Sequence, residues 1–98
     1  MDERNAILAH IDSRRDEALA FLQRMVAFDS STIHHGLDGQ ELAIQQWLAG
    51  VLAGWGLEIR LFEPDNEKMT GFPDFSPGHS YRNRPNLVAR MKGVGQGR

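Results

Sequence analysis

A chain of 98 residues with 41% hydrophobic and 24% charged residues has the size and balance of one small globular domain rather than of a disordered segment. Its net charge of -2 supplies no basic field for a phosphate backbone, so nucleic acid is not an expected partner. No apolar run approaches the ~20 residues that cross a bilayer, the start lacks the pattern of a secretory leader, and there is no cysteine. These features exclude disulfides, thiolate chemistry and cysteine-ligated zinc, and lead to the expectation of a cytoplasmic protein with no membrane partner.

In the first segment Ile7, Leu8, Ile11, Ala18, Leu19, Leu22, Met25 and Val26 fall on one broad helical face with Phe21 at its edge, which predicts an amphipathic helix buried on one side. Arg15 interrupts that face, and Asp12-Ser13 offers a local cap with Asp16 three residues after Ser13. The segment is therefore either one long helix or two helices meeting near Ser13.

Asp29 to Gly39 reads as a loop, with Asp38 placed to cap the next helix and Glu41 at the third position of a capping box. From Gln40 onward Ile44, Trp47, Leu48, Val51, Leu52 and Trp55 recur at helical spacing, and Gly56 stands where a left-handed residue ends a helix. Leu57 to Glu63 alternates apolar and charged side chains, predicting a strand with Leu57, Ile59 and Leu61 on one face until Pro64.

The stretch from Asp65 to Pro85 holds three of the four prolines and is too long for an ordinary connection in a compact domain, so it is expected to be functional or unfolded. Leu87, Ala89 and Met91 alternate with Asn86, Val88 and Arg90, predicting a second strand before the glycine turn at Gly93, Gly95 and Gly97. The order is helix, helix, strand, long loop, strand. Two strands with two apolar helix faces make an open sheet with raw edges, an architecture that looks unfinished.

Several clusters invite a chemical reading. His34, His35, Asp38 and Glu41 bring two imidazoles and two carboxylates together, but zinc needs three or four converging ligands, and Asp38 and Glu41 are expected to serve as helix caps. Ser30, Ser31, His34 and Asp38 hold the residue types of a hydrolytic triad without an elbow motif, and a loop with a cap explains them. Gly93, Gly95 and Gly97 resemble a phosphate cradle only loosely, because the dinucleotide fingerprint spaces its glycines differently, and a flexible turn is expected instead.

Trp47 and Trp55 lie on the apolar face of the second helix and are expected in the core. Phe72, Phe75 and Tyr81 stand in the long polar loop, where they suggest packing against a larger body or, secondarily, a substrate cleft. His10 and His79 show no sequence neighbour that would tune them and are expected to be solvated.

Read together, Asp16-Glu-Ala-Leu-Ala-Phe-Leu-Gln-Arg-Met-Val-Ala-Phe-Asp-Ser30, Gly39-Gln-Glu41, Trp55-Gly-Leu-Glu-Ile59 and Arg84-Pro-Asn-Leu-Val-Ala-Arg-Met-Lys-Gly-Val-Gly-Gln-Gly-Arg98 resemble the start of a zinc metallopeptidase superfamily. That superfamily includes acetylornithine deacetylase, succinyl-diaminopimelate desuccinylase, aminoacylase and the carboxypeptidases that release glutamate. The loop Phe72-Pro-Asp-Phe-Ser-Pro-Gly78 and the Arg84–Arg90 strand are most similar to the bacterial acetylornithine deacetylase and desuccinylase-related deacylases.

The resemblance implies an α/β fold, specifically an incomplete N-terminal part of an α/β/α zinc-hydrolase catalytic domain. It implies hydrolysis of a small N-acyl amino acid or peptide-like amide, with zinc (two ions) activating water and polarising the carbonyl while a carboxylate moves the proton. In such enzymes the glycine turn leads into a strand ending in a His-x-Asp pattern. The other ligands, the glutamate base and the lid and dimerisation domain lie further on. No position here matches a family zinc ligand, cofactor-binding residue or catalytic base, and His34-His35 departs from the plainer loop of the pattern.

Residues 1–98 are accordingly expected to be a partial catalytic domain, inactive alone, with homodimerisation requiring the absent lid. The alternative is a stand-alone small α/β interaction module that docks by strand addition.

Overall fold

A computed structural model describes residues 2–33, 38–75 and 78–97. Two helices open the chain, α1 (Glu3–Ser13) and α2 (Arg15–Val26), so the break near Ser13 is real. Asp2 starts α1 by accepting a hydrogen bond from the Asn5 amide at 2.7 Å, satisfying one of the orphan donors of the first turn. The break differs from the expected Ser13 cap. Arg14 occupies the cap position of α2 with no side-chain cap bond, while the Ser13 hydroxyl turns back to donate to the His10 carbonyl at 2.7 Å. Arg14 instead grips Glu17 through two hydrogen bonds.

Asp29 to Gly39 is not wholly irregular. Thr32–Ile33 (β1) pairs antiparallel with Asp38–Gly39 (β2), with Thr32 opposite Gly39 and Ile33 opposite Asp38. This corrects the capping expectation, because Asp38 lies in β2 and helix α3 (Leu42–Gly54) begins after Glu41, which holds its N-cap position without a side-chain cap bond.

The far end of α3 follows its sequence closely. Gly56 has φ +88°, its amide donates to the Ala53 carbonyl at 3.0 Å, and the Leu57 amide donates to the Leu52 carbonyl at 3.2 Å. These are the paired bonds of a Schellman stop, which needs the left-handed conformation that glycine adopts without a Cβ penalty.

Strand β3 (Glu58–Phe62) pairs antiparallel with β4 (Asn86–Arg90), from Glu58 opposite Arg90 to Phe62 opposite Asn86. Opposed residues share a face, so Ile59, Leu61, Leu87 and Ala89 form one side while Glu58, Arg60, Phe62, Asn86, Val88 and Arg90 form the other. The connection between the strands contains a short helix, α4 (Asn66–Met69), capped by Asp65 accepting from the Glu67 amide at 2.9 Å. The expectation that this long segment is functional or unfolded is thus narrowed, because its described residues carry regular structure and long-range hydrogen bonds. The described fold is mixed α and β, with α3 packed on both strands of a two-stranded antiparallel sheet.

Packing is where the structure departs furthest from the sequence reading. Among the described residues no hydrophobic side chain of the core types is fully buried, and Pro85 is the one buried residue. The radius of gyration is 18.1 Å and the molecule measures 55 × 37 × 23 Å, whereas a compact domain of this length has a radius of about 13 Å. The apolar stripe of α1 and α2, expected to face a core, is open: Leu22 is 55% exposed and Val26 is 75% exposed. Only the line of Phe21, Met25 and Phe28 is half-buried, because α3 covers that one side of α2.

There Trp47 meets Phe21 at a ring separation of 5.1 Å and Phe28 at 5.4 Å, with the Arg24 guanidinium 5.8 Å from its centroid. Trp55, expected in the core, is 65% exposed. It sits at the C-cap of α3, where the helix ends before the chain can cover it.

Candidate functional site

The best-formed concavity lies where the start of α3, the end of β3 and the long connection meet. It is a cleft of ≈ 800 Å³ whose lining includes Glu41, Gln45, Phe62, Lys68, Tyr81 and Arg84. Its centre is Arg84. A turn closed by the Arg84 amide donating to the Tyr81 carbonyl at 3.0 Å brings it there. Asn83 stands at φ +59° inside that turn, a conformation asparagine tolerates better than most residues. Pro85 then biases Arg84 toward extended backbone, so the chain leaves the turn directly into β4.

The Arg84 side chain joins two distant parts of the chain. Its Nε donates to Glu41 Oε1 at 3.2 Å, one terminal nitrogen donates to the Ser80 carbonyl at 3.1 Å, and the guanidinium lies 5.8 Å from the Tyr81 centroid. The pair is largely screened from water, with side-chain exposures of 18% for Arg84 and 25% for Glu41. Gln45, one turn along α3, donates to the Pro85 carbonyl at 3.2 Å. Opposite, Glu63 Oε1 accepts from the Asn83 amide at 3.0 Å, and Asn66 donates to the His79 carbonyl at 3.0 Å.

These bonds close backbone groups that a loop would otherwise leave unpaired, which is a structural task. Among the described residues, Glu41 Oε2 and Asn66 Oδ1 are buried acceptors with no hydrogen-bond partner there.

A second, shallower hollow of ≈ 560 Å³ adjoins the first, lined by Met69, Phe72, Asp74, Phe75, His79, Tyr81 and Arg84. Phe72 is 67% exposed, whereas Phe75 and Tyr81 are half-buried. The aromatic residues of the connection thus gather around one hollow. His79 departs from the solvated reading: it is half-buried and its ring packs against Tyr81 at 6.4 Å. His10 is exposed in the last turn of α1.

The clusters weighed for catalysis do not assemble among the described residues. The Ser31 hydroxyl and amide both donate to Asp29, at 2.7 Å and 3.1 Å; the hydroxyl bond and then the amide bond hold the Asp29 carboxyl below its usual range. Ser31 therefore belongs to a local turn, Ser30 is exposed, and Asp38 lies in β2. His34 and His35 lie outside the described residues. Glu41, grouped with them as a possible metal ligand, is committed to Arg84.

Among the described residues no group of three or more His, Cys, Asp or Glu converges as a metal site requires. The zinc ions implied by the sequence resemblance therefore find no ligand set there. Gly95 and Gly97 have φ of +103° and +77°, the conformations that suit a glycine turn. Among the described residues no helix is long and apolar enough to cross a membrane.

Arg84, Gln45, Glu63 and Asn66 were not singled out as site residues in sequence. Their partners lie far along the chain, 43 residues away for Arg84 and Glu41, and no local spacing signals such a pair. No protein-family model matches the chain, and no curated protein and no solved structure matches it.

Proposed function

We propose that this chain is the N-terminal part of the catalytic domain of a zinc-dependent amidohydrolase, of the acetylornithine deacetylase and succinyl-diaminopimelate desuccinylase type. In this reading the chain is inactive alone and serves as the scaffold on one side of an α/β/α domain. The longer protein acts in the cytoplasm on a small N-acyl amino acid or related amide, and its homodimerisation depends on a lid domain beyond this chain.

The observation that carries the reading is the uncovered apolar surface. A chain that forms three sizeable helices and two strand pairs, yet among its described residues fully buries no hydrophobic side chain of the core types, lacks the layer those faces fit. A two-stranded ribbon is marginal unless further strands or helices complete it. The glycine bend after β4 has backbone angles that suit a reversal of the chain, and a strand following it would lie against the free edge of β4.

In this reading the chain's residues have positioning tasks. Arg84 and Gln45 fix the start of β4 against α3, and the Trp47 cluster fixes α2 on the other side. Zinc, when bound in the longer protein, would supply the activated water from ligands outside the described residues.

The test is to sequence the source DNA past the codon for Arg98. The reading expects an in-frame apolar strand ending in His-x-Asp. A stop codon with no such pattern in any nearby frame contradicts it, and favours instead the small interaction module. That second reading draws support from the exposed Phe72 and the free strand edges, through which a partner strand could add.

A further inference from the structure

We infer that the free edge of β4 is a self-complementary docking surface, and that its occupant in the 98-residue chain is β4 of a second copy, antiparallel about a two-fold axis at Val88. The inference does not rest on the proposed function, although a strand beyond the glycine turn in a longer protein would compete for the same edge.

The first step is that among the described residues β4 pairs on one side only. The sheet consists of β3 and β4, and all five residues of β4 are taken in register by β3, so the opposite edge offers the remaining amides and carbonyls. Natural edges are commonly blunted by proline, bulges, clustered charge or a covering element. Asn86-Leu-Val-Ala-Arg90 has no internal proline, its ladder with β3 runs without a bulge, and its one charge stands at the end. Four of its five residues are exposed, Leu87 alone being half-buried. Helix α3 packs more heavily on β3 than on β4.

The second step decides the occupant. Centred on Val88, antiparallel pairing of two β4 strands is the one symmetric register that overlaps all five residues. It sets Leu87 opposite Ala89, Asn86 opposite Arg90, and Val88 opposite itself. Within these five residues no like charges meet, and two apolar pairs flank an apolar centre, the arrangement that favours cross-strand contact. The corresponding full-overlap pairing of β3 would set Arg60 against Arg60, which is repulsive. Self-association therefore selects β4.

The product is a four-stranded sheet in the order β3, β4, β4, β3, which lifts the ribbon past the size at which isolated hairpins are marginal. An isologous contact of this kind closes on itself and stops at two copies.

The absence of cysteine allows a direct test. Residues opposed in an antiparallel pair have Cα atoms about 4.5 or 5.5 Å apart, inside the roughly 4.4–6.8 Å span of a disulfide. Val88→Cys, oxidised at micromolar concentration, is expected to convert mainly to a linked dimer, whereas Gln23→Cys on exposed α2 remains mainly monomeric. In sedimentation the unmodified chain is expected to run as a dimer. Val88→Lys and Val88→Glu are each expected to run as monomers and to re-form a dimer when mixed.

Equal cross-linking at positions 88 and 23 would overturn the inference. So would a monomeric or polydisperse unmodified chain, or failure of the two charged variants to pair. Val88 is 49% exposed and stands opposite Arg60 of β3, so Val88→Glu and Val88→Cys leave that pairing in place while Val88→Lys weakens it by like charge; an unchanged circular dichroism spectrum of each variant verifies that β3 and β4 still pair.

Discussion

The two ends of α3 are held by different physics. Near its start, contacts are polar: Glu41 meets Arg84, and Gln45 meets the Pro85 carbonyl. Along its middle and far end, contacts are aromatic, with Trp47 between Phe21 and Phe28 and with Phe21 6.1 Å from Trp55. The polar end fixes geometry, since each hydrogen bond has one acceptable partner, whereas the aromatic end depends on area and leaves much of α1 and α2 in water. The arrangement is therefore specified at one end and only partly covered at the other.

Trp47→Ala tests the aromatic end and carries the largest expected effect. Truncating a fully buried Trp costs ~3–5 kcal/mol; for half-buried Trp47 a loss of about 2–3 kcal/mol is expected. It should appear as lost hydrogen-exchange protection in α2 while β3 and β4 keep theirs. Equal loss in both regions would show that the two ends form one cooperative unit.

At the polar end, Arg84→Ala leaves Glu41 without its partner, for an expected local cost of about 1–3 kcal/mol. Amides in the turn before β4 and in the first turn of α3 should exchange faster. Arg84→Lys should restore part of that protection, since it keeps the charge and loses the planar fork. Full rescue by Lys would make charge, not geometry, the basis of the contact.

Gly56→Ala probes the stop that joins α3 to β3. At φ +88° a Cβ is strained by about 1–2 kcal/mol, so the last turn of α3 should fray, with lower helical ellipticity. Unchanged ellipticity would mean that the turn has relaxed away from the left-handed conformation.

The smallest effect belongs to Asp29. Its carboxyl is held low by Ser31, so its contribution to stability is present above the ordinary carboxyl pKa. That contribution fades as pH falls through the depressed value of the folded state. Ser31→Ala should move the Asp29 titration back up toward an ordinary carboxyl in an NMR pH series; no movement would remove the turn from the account.

Local pattern carried part of this structure legibly. The Gly56 stop, the alternation from Leu57 to Leu61 and the interruption at Arg15 each act within a few residues of their cause. The Asp38 cap failed because backbone pairing with Ile33 placed Asp38 in β2, and the Ser13 cap failed because its hydroxyl found the His10 carbonyl. Helical periodicity puts Leu22 and Val26 on one apolar face and predicts its burial, but it does not say what covers that face, and both residues are exposed. The Arg84 centre was equally invisible, because its partner is brought close by tertiary structure rather than by spacing.

The central claim is that the apolar faces of the described helices and strands are left largely uncovered. The most direct test is thermal unfolding of the 98-residue chain at low concentration, followed by circular dichroism and by binding of a hydrophobic dye before the transition. The account predicts strong dye binding at the start and a broad, weakly cooperative transition. A monomer that binds no dye and melts sharply, at a temperature independent of concentration, would contradict it.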